Sequence, residues 1–279
     1  MRGVQVVCTS VRLLQAIVDV LSSKSAKGAC LLAMELCQMV VQGQHRNDSW
    51  LLQLPGMTKA LAQKCEAAGI DDVGALQEME DVDRRTLLGL PDTTYDAVAR
   101  FCNRYPNDVQ VVYTVSNGKD LTPGEDDDVR LFECDGPSVV RPAPPACCVH
   151  SIRFAGGLFR AMCRCLCVCE VWLTWGVVQI ELQVKISRDE AVGVVDAPRF
   201  PGVKEEFWWV VCGDSENNVL GIKRFSFELR HKCTIKIDNF KPGKNEFTLF
   251  VMCDSYLGCD QEYQMEVTVT GDVEVMEEG

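Results

Sequence analysis

The spacing of the apolar residues changes once along this chain, at Val109, and that change limits the possible folds more than any other feature. Before Val109, apolar residues recur three or four positions apart, as they do in helices that bury one face. After it, apolar and polar residues alternate, as they do in half-buried antiparallel strands. The pattern predicts a multi-domain α + β protein in which helical parts precede a β-sandwich.

Residues 1–48 are predicted to form two helices joined by a turn at residues 22–28. Two helices cannot enclose a core by themselves, so we interpret this part as the end of a helical bundle. The predicted inward faces consist of Val11, Leu14, Val18 and Leu21 in the first helix and of Leu32, Leu36, Met39 and Val40 in the second.

Residues 49–106 are predicted to form four short helices separated by glycine and proline. Residues that favour a helix start precede each apolar repeat. Pro106 ends the last helix, because proline has no backbone N–H to continue the hydrogen-bond ladder. The predicted starts are Thr58, Asp71 or Asp72, Asp81, and Pro91-Asp92.

Residues 107–271 are predicted to form an antiparallel β-sandwich. The clearest alternation of apolar and polar residues lies in 180–187, 233–238 and 263–269. Turn signals between strands are Pro201-Gly202, Asn217-Asn218 and Pro242-Gly243. The acidic end, residues 272–279, is expected to be a solvated tail.

Residues 131–179 differ in composition from the rest of the sandwich. They hold seven of the 16 cysteines, whereas the others are scattered singly, as free thiols in a reducing compartment would be. Removing this segment joins Arg130 to Ile180 and leaves the alternation of the strand unbroken, whereas a slip of one residue would reverse every side chain. We interpret the segment as an insertion and expect it to be dispensable, as a retained intron would be; a genuine loop is the alternative.

A search for catalytic motifs in the sequence finds none. There is no phosphate-binding loop, magnesium-binding acidic pair or nucleophile elbow, and the three histidines stand far apart. Cysteines at the alternate positions 163, 165, 167 and 169 would spread over about 20 Å of a strand, too far for one tetrahedral zinc ion. We therefore predict no catalytic residue, no cofactor and no metal site.

Several strings resemble the Sec63 unit of large, two-cassette DExH-box RNA helicases of the spliceosome. They are Leu-Gln-Leu-Pro at 52–55, residues 99–106, Trp-Trp-Val-Val at 208–211 and residues 258–263, together with residues 17–23 and 33–36. The resemblance covers nearly all of the chain outside 131–179. It implies a partial helical bundle (1–48), a helix-hairpin-helix domain (49–106) and an immunoglobulin-like or fibronectin-type β-sandwich (107–271), without ATPase activity.

The resemblance also implies a function: a non-catalytic protein-interaction and scaffolding module of a spliceosomal ATP-dependent RNA helicase, acting in pre-mRNA splicing in the nucleus. The expected partners are the helicase motor domains of the parent protein and other spliceosomal proteins. No membrane is expected, because the longest mainly apolar run, residues 166–175, is shorter than the roughly 20 residues of a membrane span. The translocation component that shares the family name would need membrane spans and a co-chaperone domain.

The helix-hairpin-helix turn offers candidates for contact with an RNA backbone: Gly56, Lys59 and Lys64. Backbone N–H groups at such a turn can bind phosphate, and glycine permits close approach. An accessory RNA-binding domain is therefore the alternative function. The net charge of −12 disfavours it, as does Thr58 at the position of the motif's second glycine.

The sandwich offers two candidates for contact with a partner protein, Trp208 and Trp209. They follow Phe207 on one predicted strand, so the three rings cannot all face the same core. Either an exposed ring anchors a partner, or a ring caps an edge or packs against the helical part.

Overall fold

The structure, a computed structural model, describes residues 2–116, 164–166, 171–174, 179–189, 194–238 and 243–270. Within them lie six α-helices: α1 Arg2–Ser23, α2 Lys27–Gln42, α3 Lys59–Ala67, α4 Val73–Glu78, α5 Asp81–Leu88 and α6 Asp92–Arg104. A 3-10 helix, Trp50–Gln53, precedes α3. The strands are β1 Gln110–Ser116, β2 Arg164–Leu166, β3 Val171–Thr174, β4 Gln179–Ser187, β5 Trp208–Asp214, β6 Val219–Phe225, β7 Arg230–Asp238, β8 Gly243–Cys253 and β9 Gln261–Thr270.

The strands form two sheets. The first has the order β1-β4-β7 and is antiparallel throughout. In the second, the neighbours β9-β8-β5-β6 are antiparallel, and β2 and β3 run parallel to β9. Apolar residues of both sheets belong to one buried cluster, so the sheets pack face to face. The prediction of a mixed α + β fold is confirmed, with antiparallel sheets in the second half.

The predicted strand phase is confirmed in β4, where the apolar residues at alternate positions 180–186 are at most 1% exposed. Met265 and Val267 in β9 are buried as well. Tyr263, expected on the same inward face, is only half-buried. Its ring packs edge-on against Tyr113 of the other sheet, with ring centroids 5.6 Å apart.

Side-chain caps stand at the starts of α3 and α4. The hydroxyl of Thr58 accepts a hydrogen bond from the N–H of Leu61 at 3.2 Å, and the carboxylate of Asp72 accepts one from Ala75 at 2.7 Å. These bonds satisfy N–H groups that the first turn of a helix leaves without a partner. The helices α5 and α6 also begin where the sequence predicted.

The helix pair α1–α2 packs on the outer surface of the second sheet. Trp209, Val211 and Met252 share a buried cluster with residues of both helices. The turn between β5 and β6 also reaches the start of α2, which has no side-chain cap of its own. There the side chain of Asn217 accepts a hydrogen bond from the N–H of Gly28 at 2.8 Å. The sandwich therefore both supports and caps the helix pair.

The predicted inward face of α2 is wrong. Leu32 and Leu36 are 52% and 41% exposed, and Met39 and Val40 are only partly buried. The side chains that pack inward are Cys30, Ala33, Met34, Cys37, Gln38, Val41 and Gln42. The helix is apolar on two sides, and its buried side includes two glutamines, so apolar spacing alone selected the wrong one.

Part of the predicted insertion belongs to a sheet. Residues 164–166 and 171–174 are β2 and β3, which pair with β9, and β4 begins at Gln179. The join between Arg130 and Ile180 that suggested the insertion cannot be compared, because Arg130 lies outside the described residues, as does the tail 272–279. That the segment is dispensable stays a prediction.

The nine cysteines whose side chains the structure describes are free thiols. The described part of the chain contains one helix that is long and apolar enough to cross a membrane, over the window Val6–Ser23 of α1. Core helices of globular proteins also meet this criterion. The sequence prediction of a helix here is correct, but its length and apolar character were not recognised, because Arg12 and Asp19 interrupt its apolar residues.

Candidate functional site

The loop between β8 and β9, residues 254–260, is where the helical parts meet the sandwich. Most of its residues are buried, with Asp254, Ser255 and Tyr256 at 0% exposure. Loops usually lie on the surface, because buried backbone N–H and C=O groups need partners. This loop, here called the junction loop, finds its partners in the helices.

Gln53 pairs with the junction loop as a neighbouring strand would. Its side-chain oxygen accepts a hydrogen bond from the N–H of Leu257 at 2.8 Å, and its amide nitrogen donates to the carbonyl of Leu257 at 2.9 Å. The hydroxyl of Tyr105, at the end of α6, donates to the same carbonyl at 3.0 Å. The 3-10 helix and α6 are thereby tied to one residue of the sandwich.

Two glutamines of α2 bind the same loop from the other side. The amide nitrogen of Gln38 lies 2.7 Å from the carbonyl oxygen of Cys253 and 2.9 Å from both carboxyl oxygens of Asp260. The amide nitrogen of Gln42 donates to the carbonyl of Ser255 at 2.7 Å. Both glutamines are 1% exposed, which explains why the polar side of α2 faces inward.

Gly258 gives the loop its shape. Its φ of +89° lies in the left-handed region, which glycine adopts without strain. A Cβ atom at this position would lie 2.6 Å from the ring of Trp50, which packs directly against the backbone. Any larger residue would therefore push the 3-10 helix away from the loop.

The buried charges at the junction are paired or perturbed. The carboxylate of Asp254 lies 2.6 Å from the amine of Lys204 and 3.8 Å from the guanidinium of Arg224, and it accepts the N–H of Phe207 at 3.1 Å. Asp260 has no such cation among its contacts. Burial raises the pKa of Asp260 to about 7, against the opposing effect of the hydrogen bond from Gln38.

A second buried ion pair lies nearby. A guanidinium nitrogen of Arg188 is 2.7 Å from the carboxylate of Glu206, and the indole N–H of Trp208 donates to the same oxygen at 2.6 Å. Burial raises the pKa of Glu206, while Arg188 acts in the opposite direction. A buried pair of this kind fixes geometry more than it adds stability.

The carboxylate of Asp254 contacts two cations and a backbone N–H group, and that of Asp260 accepts hydrogen bonds from Gln38 and from the N–H of Cys253. Among the described residues, no group of three or more His, Cys, Asp or Glu side chains could hold a metal ion. The arrangement can join three parts of the chain into one rigid body.

Three of the strings that carried the resemblance meet at this junction. They contribute Gln53, Tyr105, and the pair Gly258 and Asp260. The sequence marked these strings as family features but did not indicate that they contact one another. Glutamine is mostly exposed in proteins, so nothing in the sequence marks a buried one.

Trp208 and Trp209 are not exposed anchors. Their exposures are 0% and 1%. Successive side chains of β5 point to opposite faces, and both faces are covered. Trp208 lies in the cluster between the sheets and Trp209 in the cluster under the helix pair. The alternative, in which a ring packs against the helical part, describes Trp209.

Each of the three candidate RNA contacts has a contact of its own within the chain. Gly56 is exposed with φ of +73°, but a Cβ there would lie 2.4 Å from the methyl group of Thr94, so this glycine is needed for packing. The amine of Lys59, 79% exposed, lies 3.3 Å from Asp48. Lys64, in the last turn of α3, donates to the carbonyl of Leu87.

The helix pair leaves an apolar surface uncovered, here called the outer helix face. Its members are Leu13, Ile17 and Val20 of α1 and Leu32 and Leu36 of α2, with exposures of 60%, 45%, 53%, 52% and 41%. Single exposed apolar side chains are ordinary, and we treat these five as a candidate interaction surface because they lie on two helices that pack together.

The family model described as "Sec63 Brl domain" matches residues 4–266 of this chain. The chain belongs to that family. The match includes the helix pair, the short helices, the junction loop and most of β9, so all parts described above lie within one Brl domain.

Curated relatives of this Brl domain are much longer proteins. The DExH-box ATP-dependent RNA helicase DExH12 of Arabidopsis thaliana is 37% identical over 277 residues, which cover 95% of this chain and 10% of that protein. The U5 small nuclear ribonucleoprotein 200 kDa helicase of Homo sapiens is 36% identical over 268 residues, which again cover 95% of this chain and 10% of that protein. The activating signal cointegrator 1 complex subunit 3-like protein of Dictyostelium discoideum is 30% identical over 259 residues, which cover 91% of this chain and 10% of that protein. The chain therefore spans about a tenth of the length of these relatives.

Among solved structures, the periplasmic chaperone SfaE aligns with a TM-score of 0.24 and 9% identity over 37% of this Brl domain and 55% of that chain. A likeness this low carries no argument about fold or function.

Proposed function

We propose that this Brl domain is a non-catalytic interaction and scaffolding module of a spliceosomal ATP-dependent RNA helicase, acting in pre-mRNA splicing in the nucleus. The observation that carries the proposal is the outer helix face, where Leu32 and Leu36 stand in solvent although the opposite side of the same helix is fully buried. Burying these side chains would stabilise a complex, at about 25 cal/mol for each Å² of apolar surface.

The junction supports the scaffold role. A surface that positions other domains must be rigid, and the four hydrogen-bonding side chains Gln38, Gln42, Gln53 and Tyr105 all fix the junction loop. The helix pair carrying the outer face is thus held against the sandwich. We further propose that the short helices are of the helix-hairpin-helix type and that the sandwich is immunoglobulin-like. The strand orders β1-β4-β7 and β9-β8-β5-β6 support the second of these assignments.

The partners that we propose are the helicase motor domains of the parent protein and other spliceosomal proteins. The family membership and the names of the relatives support this choice, since most of those relatives are RNA helicases of which a Brl domain is a small part. The domain on its own should hydrolyse no ATP, with or without RNA. ATP turnover stimulated by RNA in a pure preparation would contradict the non-catalytic assignment.

A pull-down experiment tests the docking surface. The double variant Leu32→Ser/Leu36→Ser should fold normally and lose binding to a polypeptide that contains the motor domains of the parent helicase. The matched control is Val203→Ser/Leu229→Ser, which removes exposed apolar side chains from the sandwich, 84% and 46% exposed. Equal binding by both variants would contradict the proposal.

The alternative function, RNA binding through the helix-hairpin-helix turn, is favoured by the exposure of Lys59 and Gly56 at that turn. It predicts that Lys59→Ala weakens RNA binding at about 0.15 M salt. Lys64→Ala should have less effect, because its amine already bonds to Leu87. Nanomolar RNA binding abolished by Lys59→Ala would place this function ahead of the scaffold.

A further inference from the structure

Strand β9 has the properties of an edge that needs a cover. It is ten residues long, and its pairing with β8 is regular from Gln261 to Val269. It contains no lysine, arginine or proline, and its charged residues are Glu262 and Glu266. An uncovered strand of this length presents a row of unpaired N–H and C=O groups that can accept another strand.

The opposite edge of the same sheet, β6, is built differently. It contains Gly221 and the exposed residues Lys223 and Arg224. Its pairing with β5 is interrupted by a register shift between Cys212 and Gly213. Charge, glycine and irregular pairing all discourage the addition of a strand. The two edges of one sheet therefore differ, and only β9 is suited to accept a strand.

An occupant is present on the edge of β9. Residues Arg164–Leu166 pair in parallel with residues 262–264, and Val171–Thr174 pair in parallel with residues 267–270. These pieces come from the segment that the sequence marked as foreign to the sandwich. The edge has thus taken up a strand from a distant part of the chain.

The register of this pairing defines the kind of strand that fits. On β9, Met265 and Val267 face the core. In the register of the pairing, Cys165 lies opposite Tyr263, Val171 opposite Val267 and Leu173 opposite Val269, so residues of apolar type alternate along the occupant as they do along β9. An alternation of apolar residues is what an added strand needs to extend a half-buried sheet.

We propose that the outer edge of β9 is a strand-docking site for an extended peptide segment that runs parallel to β9 and has apolar residues at alternate positions. Residues Arg164–Leu166 and Val171–Thr174 occupy the site within this chain. When they are absent or displaced, the site accepts a segment of the same pattern from a partner protein.

Peptide binding tests the proposal. The probe is a fluorescein-labelled peptide with the sequence of residues 164–174, in reducing buffer, and the measurement is fluorescence anisotropy. The proteins are the full chain, a variant lacking residues 131–179, and the full-length variant Cys165→Pro/Leu173→Pro. Proline removes the N–H groups that join the ladder and so releases the occupant without deleting it. A peptide with the same two prolines is the control.

Both variants should bind the probe at least tenfold more tightly than the full chain does, and none of the proteins should bind the proline peptide. Equal binding by the full chain and the variants, or no binding by either variant, would overturn the proposal. It is also overturned if both variants fail to fold, since the segment is then an integral part of the sheet. Dimerisation of the variants without peptide binding would assign the edge to a second copy instead.

Discussion

The junction loop and the outer helix face depart from ordinary burial in opposite ways. At the junction, polar side chains such as Gln38 and Gln53 are buried and hydrogen-bonded. On the outer helix face, Leu32 and Leu36 are exposed. Each departure marks a contact, because buried polar groups need partners and exposed apolar groups gain from them. The junction makes its contacts among the described residues, whereas the outer helix face is the surface for which we propose a partner domain.

The largest effect is expected where the helix pair meets the sandwich. Trp209→Ala removes a ring that is 1% exposed between β5 and the helices. The cost should be about 3–5 kcal/mol of unfolding free energy, as for other buried aromatic residues. Urea denaturation measures it. A loss below about 1 kcal/mol would mean that the helix pair is not anchored there.

A smaller loss is expected at the junction. Gln53→Ala removes both hydrogen bonds to Leu257 and leaves its buried N–H without that partner. The expected cost is about 1–3 kcal/mol. Gln63→Ala, at an exposed position of α3, is the matched control and should change stability by no more than about 0.5 kcal/mol. Equal effects of the two substitutions would show that the junction bond is dispensable.

Asp260 makes the junction sensitive to pH. Burial raises its pKa from the ordinary 3.8 to about 7. Between these values the folded chain keeps a proton that the unfolded chain has lost, so this group lowers stability as pH rises, by at most about 1.4 kcal/mol per pH unit. The asparagine of the Asp260→Asn variant does not titrate. The unfolding free energy of this variant, relative to that of the unmodified chain, should therefore increase as the pH is raised from about 4 to about 7. A constant difference between the two unfolding curves would exclude this titration.

The smallest effect is expected on the outer helix face. Leu36→Ala should change the unfolding free energy by no more than about 0.5 kcal/mol, since this side chain is 41% exposed. Met34→Ala on the same helix should cost about 2–5 kcal/mol, because Met34 is 0% exposed. If both changes cost the same, Leu36 is buried in solution and the outer face is not open.

The helix starts and the strand phase could be predicted from the sequence because they depend on neighbouring residues. Thr58 and Asp72 mark helix starts because a cap acts within three residues of itself. The inward residues of β4 could be predicted in the same way, because the alternation of apolar and polar residues is also a local pattern. The inward side of α2 and the burial of both Trp208 and Trp209 depend instead on which elements cover them. That information lies in contacts between distant parts of the chain.

The candidate sites were harder to predict than the fold. The family strings pointed to residues 52–55 and 258–263, but only the structure places Gln53 against Leu257. Leu32 and Leu36 of the outer helix face were predicted to point inward, because apolar spacing is the same on an exposed face of a helix and on a buried one. The sequence thus located the important segments without separating internal contacts from external ones.

Hydrogen–deuterium exchange tests the central comparison most directly. It is measured on the domain alone and with a polypeptide that contains the motor domains of the parent helicase. The proposal predicts slower exchange in α1 and α2 when that polypeptide is added, and no change in the junction loop, whose backbone is already bonded. No change in either helix, with slower exchange at residues 56–64 when RNA is added instead, would contradict the scaffold and favour the RNA-binding turn.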